Sequence, residues 1–144
     1  MQIVDYDPSH AFDIISRGLR EEDQWLKDQN WVEAANGWRT YGPGWTIIED
    51  EVVMCFGVVF LGNGNGEVWG LMSELINKYP VAISKAIKSK LSEMMKDLKR
   101  LQTIIHPDHK KAIRFAKFLG FSYEGTMKKI AVNGDDLMLY GRVS

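Results

Sequence analysis

The sequence predicts an α+β (α/β layered) domain, a mixed and mostly antiparallel sheet flanked by helices on both faces. Three observations predict it. Strand-like segments follow one another from Trp45 to Ser73, broken only by turn residues. Two amphipathic helical segments, Pro80 to about Lys99 and His109 to Leu119, flank a short apolar stretch, Leu101 to Ile105. The 144 residues carry no repeat, linker or low-complexity tract, which fits one domain spanning 1–144.

Taken in order, Met1 to Asp5 reads as a short strand. Asp7-Pro8 is a helix start, with Asp as cap and Pro in the first turn. Ala11, Phe12, Ile14 and Ile15 form that helix's apolar side, and Gly18 ends it. A second helix is expected from Glu21 to Gln29, acidic at its start as the helix dipole favours. Asn30 to Gly44 reads as irregular because Asn36-Gly37 and Gly42-Pro43-Gly44 are turn chemistry. Trp45–Glu49 and Val52–Leu61 flank Asp50-Glu51 as a tight hairpin, and a glycine-rich tip, Gly62 to Gly66, leads into a strand over Glu67–Ser73. Val81, Ile83, Ile87, Leu91, Met94, Met95 and Leu98 line one side of the long helix from Pro80. A hairpin from Phe121 to Val143 closes the chain, its turn expected at Asn133-Gly134.

Composition excludes several function classes. Eighteen Lys and Arg against nineteen Asp and Glu leave a net charge of −1, so nothing directs the chain to nucleic acid or an anionic membrane. A single cysteine, Cys55, cannot form an internal disulfide and sits in an apolar strand where burial is expected. No basic-then-apolar leader opens the sequence, and no apolar run approaches the ~18 residues of a membrane span. These features predict a cytoplasmic protein of a reducing compartment. His106-Pro107-Asp108-His109 has the residue types of a metal site but no third ligand at suitable spacing, so no metal is expected.

The most specific segment is His109-Lys110-Lys111-Ala112-Ile113-Arg114-Phe115-Ala116-Lys117-Phe118-Leu119-Gly120-Phe121. Ala112, Phe115, Ala116 and Leu119 share a helical face, and Gly120 stands where a helix needs a left-handed terminal residue. Strand, helix, Leu-Gly-Phe and hairpin in this order resemble the C-terminal half of the Gcn5-related N-acetyltransferase (GNAT) superfamily, and the element order resembles it across nearly the whole chain. An aromatic-rich strand ending near Ser73-Glu74, followed by a lysine-rich helix, also resembles small GNAT-like proteins of podoviruses, some of the internal virion or scaffold-associated type. Such an origin implies the host cytoplasm or the virion.

The resemblance implies acetyl-CoA as cosubstrate, its pantetheine arm lying between a splayed fourth strand and the fifth. It implies pyrophosphate on backbone amides at the following helix start, here Asn77, Lys78, Tyr79, Val81 and Ala82. A helix N-terminus suits an anion because its amides are unpaired and the dipole points at it. The sequence departs from the family here: no glycine occurs from Leu71 to Leu119, and Pro80 removes one amide. An ordinary helix start is the alternative.

Acyl transfer to an amine needs a base, a donor for the developing oxyanion and, for the thiolate, a proton. The resemblance implies the amide of Met72 or Ser73 as oxyanion donor. Glu74 or Glu67 is the candidate base. Strand alternation sends these two glutamates to opposite faces, so at most one lines the cleft. The family's tyrosine acid is matched by Ala116, which has no proton to give. His109 matches a family asparagine and could bond a pantetheine carbonyl; a simple helix cap is the alternative. Trp25, Trp31, Trp38 and Trp45 crowd one segment where the family binds its acceptor, which makes Trp31, Trp38 and Tyr41 candidates for acceptor contact. The acceptor would be a small-molecule or protein amine, and an exposed edge in the last hairpin would permit a homodimer. A non-catalytic, virion-associated or protein-binding GNAT-fold module is the competing reading, motivated by Ala116 and the missing glycine loop.

Overall fold

The computed structural model describes residues 1–144. One seven-stranded sheet runs in the order β1 (Gln2–Asp5), β2 (Gly44–Glu49), β3 (Glu51–Gly62), β4 (Asn65–Met72), β5 (Arg100–Ile105), β7 (Leu137–Val143) and β6 (Ser122–Met127). Every neighbouring pair is antiparallel except β4 with β5. Helices α1 (Pro8–Ser16) and α2 (Trp31–Thr40) belong to one face, α3 (Pro80–Met94) and α4 (Lys110–Phe118) to the other. No helix is long and apolar enough to cross a membrane.

Two cores sandwich the sheet. On the α3–α4 face Ile83, Ile87, Leu91, Ala116, Leu119 and Phe121 pack on Met54, Phe56, Val58 and Leu101. On the α1–α2 face Ala11, Ile14 and Ala35 pack on Cys55, Trp69 and Leu71. Burial pushes the Cys55 thiol up to about 12, so it is a packing residue and not a nucleophile.

Several sequence expectations hold in detail. Asp7 caps α1 and accepts from the Ser9 amide at 2.9 Å. Gly120 ends α4 at φ +92°. The glycine-rich tip expected over Gly62 to Gly66 is a turn, but a shorter one: Asn63 and Gly64, at φ +56° and +77°, make it, and β4 already begins at Asn65.

Four expectations are corrected. Glu21–Leu26 forms a 3-10 turn instead of a helix to Gln29. The segment expected to be irregular is α2, capped by Asn30, whose side chain accepts from the Glu33 amide at 3.1 Å. Burial of Ala35, with Trp31 and Trp38 packed beside it, outweighs the turn preference of Asn36-Gly37. The long helix stops at Met94, not Lys99, because the Lys99 amide already pairs with the Gly64 carbonyl of the β3–β4 turn, just before β5 begins. The last hairpin turns through residues 128–136 rather than at a two-residue Asn133-Gly134 turn. Gly134 has positive φ and Asn133 does not. The Asn133 side chain instead accepts from the Asp135 amide at 3.0 Å.

Candidate functional site

The site begins where two strands part. β4 and β5 pair only at Asn65–Arg100, Gly66–Leu101 and Glu67–Gln102. Beyond them β4 stays with β3 as far as Met72, and β5 stays with β7 as far as Ile105. The last link across the opening is the Thr103 hydroxyl, which donates to the Val68 carbonyl at 3.3 Å.

Antiparallel pairing sets which amides face the opening. The Ser73 amide donates to the Val53 carbonyl at 3.0 Å. Alternation along the β3–β4 register then turns the main-chain groups of Leu71 and Trp69 toward β3, and those of Met72, Gly70 and Val68 toward β5. The Ser73 hydroxyl is also committed, donating to the same Val53 carbonyl at 2.7 Å and capping the 3-10 turn Glu74–Lys78. Of the two oxyanion candidates, Met72 therefore has its amide in the opening and Ser73 does not.

A cavity of about 290 Å³ fills the opening and reaches both faces of the sheet. Met72, Trp31, Trp38 and His109 line it, as do Glu67, Trp25, Arg20 and Ala116. Glu74 lies outside the cavity, exposed on its 3-10 turn, because β4 ends at Met72 and the chain turns away. Tyr41 is also outside, 63% exposed at the end of α2. Between the two glutamates, Glu67 is the one in the cleft, and its Oε1 accepts from the Gln102 amide group at 2.9 Å.

Asn77 and Lys78 lie on the 3-10 turn before α3, and Tyr79 occupies the N-cap without a side-chain hydrogen bond. The Ile83 amide bonds the Tyr79 carbonyl and Pro80 has no amide. That leaves Val81 and Ala82 as the first-turn amides without an intrahelical acceptor.

His109 caps α4, its Nδ1 accepting from the Ala112 amide at 3.3 Å. With Nδ1 accepting, the proton of the neutral ring sits on Nε2, so the 3.5 Å approach of Arg20 Nη2, itself only a donor, is a contact and not a hydrogen bond. Burial is the main force holding the His109 pKa below its ordinary value; the Asp23 carboxylate opposes it and the Arg20 guanidinium adds to it. Arg20 is 5% exposed and is neutralised by Asp23 at 2.8 Å and Glu22 at 3.1 Å. His106 accepts from the Asp108 amide at Nδ1 and bonds Asp135 through Nε2 at 2.9 Å. That bond, with one from Asn133, holds the Asp135 carboxyl below its usual range. Neither imidazole offers a free lone pair.

On the α1–α2 face Trp38 stacks on Trp69 at 4.2 Å, with Tyr6 edge-on to Trp69 at 4.9 Å. Beside the main cavity, a smaller recess of about 230 Å³ is bounded by Glu21, Glu22, Asp108 and Asp135, together with Trp25, His106 and His109. Sequence reasoning did not single out Arg20, Asp23 or Asp135, because they reach the site from the 3-10 turn and its cap and from the β6–β7 loop, whose positions only the packed fold defines.

No protein-family model matches the chain, and no curated protein matches its sequence. Solved structures do match. A mutant of spermidine N-acetyltransferase SpeG from Vibrio cholerae has 11% identity and a TM-score of 0.72, covering 99% of this chain and 95% of that one. The smu.2055 structure from Streptococcus mutans has 15% identity and a TM-score of 0.75, with 99% of each chain covered. A GNAT-family acetyltransferase from Streptococcus pneumoniae has 12% identity and a TM-score of 0.69, covering 99% of this chain and 98% of that one. This chain has the GNAT fold. At such identities the likeness is one of architecture, and function on this GNAT fold has to be argued from its own residues.

Proposed function

We propose that this protein is an acetyl-CoA-dependent N-acyltransferase acting on a small-molecule or protein amine. The observation that carries the proposal is the opening between β4 and β5, with the Met72 amide and the Glu67 side chain on its walls. The residues present suit a coenzyme A thioester in two respects. A cavity follows the opening, and the Val81 and Ala82 amides, with Lys78 nearby in sequence, suit a pyrophosphate. Acetyl-CoA, when bound, supplies an acyl group already activated as a thioester.

The chain's own groups then have definite tasks. Glu67 accepts the proton that a protonated amine must lose before attack, directly or through one water. Gln102 holds one Glu67 oxygen and leaves the other free. The Met72 amide donates to the carbonyl oxygen as charge builds on it. His109, with its proton on Nε2, donates to a carbonyl of the pantetheine arm. As the C–N bond forms the C–S bond breaks, and the second proton shed by nitrogen ends on sulfur. Ala116 supplies no acid for that last transfer. A thiol with a pKa near 8.5 leaves well enough as thiolate for solvent to complete it. The acceptor approaches from the side of Trp25, Trp31 and Trp38, and the carboxylates of Glu21, Glu22, Asp108 and Asp135 favour a cationic one.

A second reading, a non-catalytic binding module of the virion-associated type, is favoured by one observation: the cavity wall is apolar at Ala116, where the resemblance implies a tyrosine. Calorimetric titration with acetyl-CoA followed by a thiol-release assay across a panel of amines and polyamines separates the two. Binding with acceptor-dependent thiol release supports the transferase. Acetyl-CoA that leaves the protein unaffected at millimolar concentration removes it.

A further inference from the structure

The Glu67 carboxylate is the inner end of a polar chain that starts at the edge of the sheet. Glu67, Gln102, Gly141 and Ser122 stand opposite one another in register on β4, β5, β7 and β6. Glu67 alternates with Trp69 and Leu71, so this row lies on the face that carries α1 and α2. Arg100 is two residues before Gln102 on β5 and shares the face. Glu124 is the extra residue of a β-bulge, where the register passes from Tyr123–Tyr140 to Gly125–Leu139. It reaches Arg100 over Gly141, whose missing side chain leaves the crossing open.

The links run one way. Glu124 accepts from Nη1 and Nη2 of Arg100 at 2.8 and 2.6 Å. Nη2 of Arg100 also donates to Oε1 of Gln102 at 3.3 Å, and Nε2 of Gln102 donates to Oε1 of Glu67 at 2.9 Å. A guanidinium only donates and an ionised carboxylate only accepts, so the two ends allow the Gln102 amide a single orientation. Without Arg100 the amide is free to turn its oxygen toward Glu67 and push the carboxylate out of place. The outer part of the chain is open to water: the side chains of Arg100 and Glu124 are 23% and 35% exposed. Ion pairs of that exposure contribute little to stability. What the chain does determine is where the Glu67 oxygens stand in the cavity.

Resting on the transferase reading above, we infer that Arg100 is a positioning residue for the base. Acting through Gln102, it ties one Glu67 oxygen and aims the other at the amine, and Glu124 holds it in place for this.

The test is steady-state thiol release from acetyl-CoA by the full chain, with the amine of the panel above that reacts fastest. Arg100→Met should lower kcat about tenfold, because misplacing a reacting group by a fraction of an ångström is enough for a loss of that order. The acceptor KM and the acetyl-CoA affinity should stay within about twofold, and the melting temperature within about 5 °C. Gln102→Met should give a similar loss of kcat. Together the two substitutions should lower kcat no further than either alone, and Arg100→Met should have no effect in a Glu67→Gln background. A merely structural arginine would instead lose stability and multiply with Gln102→Met. Arg100→Lys keeps the charge and the stem, so it serves where Arg100→Met does not fold. Lacking the planar fork, it should retain only part of the turnover. Unchanged kcat in Arg100→Met, full kcat in Arg100→Lys, or losses that multiply in the double variant would overturn the inference and leave the transferase reading standing. No thiol release from the unaltered chain with any amine would overturn both.

Discussion

The Thr103 hydroxyl reaches from β5 to the Val68 carbonyl on β4 at 3.3 Å, one residue past the last main-chain pair of the two strands. It is a side-chain stitch at the apex of the opening. Thr103→Val keeps the shape and removes the donor, leaving the Val68 carbonyl without its partner. A loss of about 1 kcal/mol in urea unfolding is expected. An unchanged midpoint would show that water serves the carbonyl equally well.

Glu67 and Glu74 make a matched pair for assigning the base. Both were open to consideration in the sequence, but only Glu67 lines the cavity. Glu67→Gln should lower acceptor-dependent thiol release about 100-fold or more while acetyl-CoA affinity stays within about twofold. Glu74→Gln should change neither. The reverse pattern would return the base to the exposed turn.

The pH dependence of stability should carry a contribution from His109. Its folded pKa lies below its ordinary value of about 6.5, chiefly through burial. The unfolded chain therefore binds that proton more readily than the folded one. This contribution is fully present above about pH 7 and is lost as the pH falls toward 5. Carboxylates with lowered values, Asp7, Asp135 and Glu124, act only further down the acid range. Asn can replace the cap at position 109 without titrating. Thermal melts of His109→Asn between pH 5 and 7 should thus be flatter than those of the unaltered chain. Parallel curves would assign the slope elsewhere.

Arg100 on β5 and Glu124 on β6 meet in a two-pronged pair, at 2.6 and 2.8 Å, across the intervening β7 at Gly141. A Cβ at Gly141 would collide with the Glu124 carboxylate and stand 2.7 Å from the Arg100 guanidinium. Both are flexible ends, so Gly141→Ala should fold and displace the pair. The Arg100 hydrogen bonds are the main cause holding the Glu124 carboxyl below its usual range. Carboxyl-resolved NMR titration should show it returning upward in the variant. A value still depressed would mean the pair persists by another path.

Much of the fold could be read from local chemistry. The Asp7 cap rests on a side chain that can accept from the first-turn amides, and the glycine-rich β3–β4 tip and the Gly120 stop on left-handed backbone that glycine tolerates, so they announce themselves in the sequence. The element order did the same for the mixed sheet, and the family resemblance implied that β4 and β5 would part. Local chemistry failed where packing overruled it. Asn36-Gly37 looks like a turn and is mid-helix, because Ala35 is buried and flanking tryptophans pack against the same core. Asn133-Gly134 looks like a primed hairpin turn, but the connection is longer and Asp135 is drawn to His106.

The candidate site divides along the same line. Helix periodicity determined by itself that α4 would turn one face, Ala112, Phe115, Ala116 and Leu119, toward the core. Which amide of Met72 or Ser73 faces the opening, and which glutamate lines it, was decided only by strand register and by where β4 ends. Register is a property of two strands together: shifting it by one residue exchanges every amide and side chain between neighbours. Likewise Arg20, Asp23 and Asp135 are far from His106 and His109 in the sequence or on separate loops, and only the closed sheet and its packed helices bring their charges to one cavity.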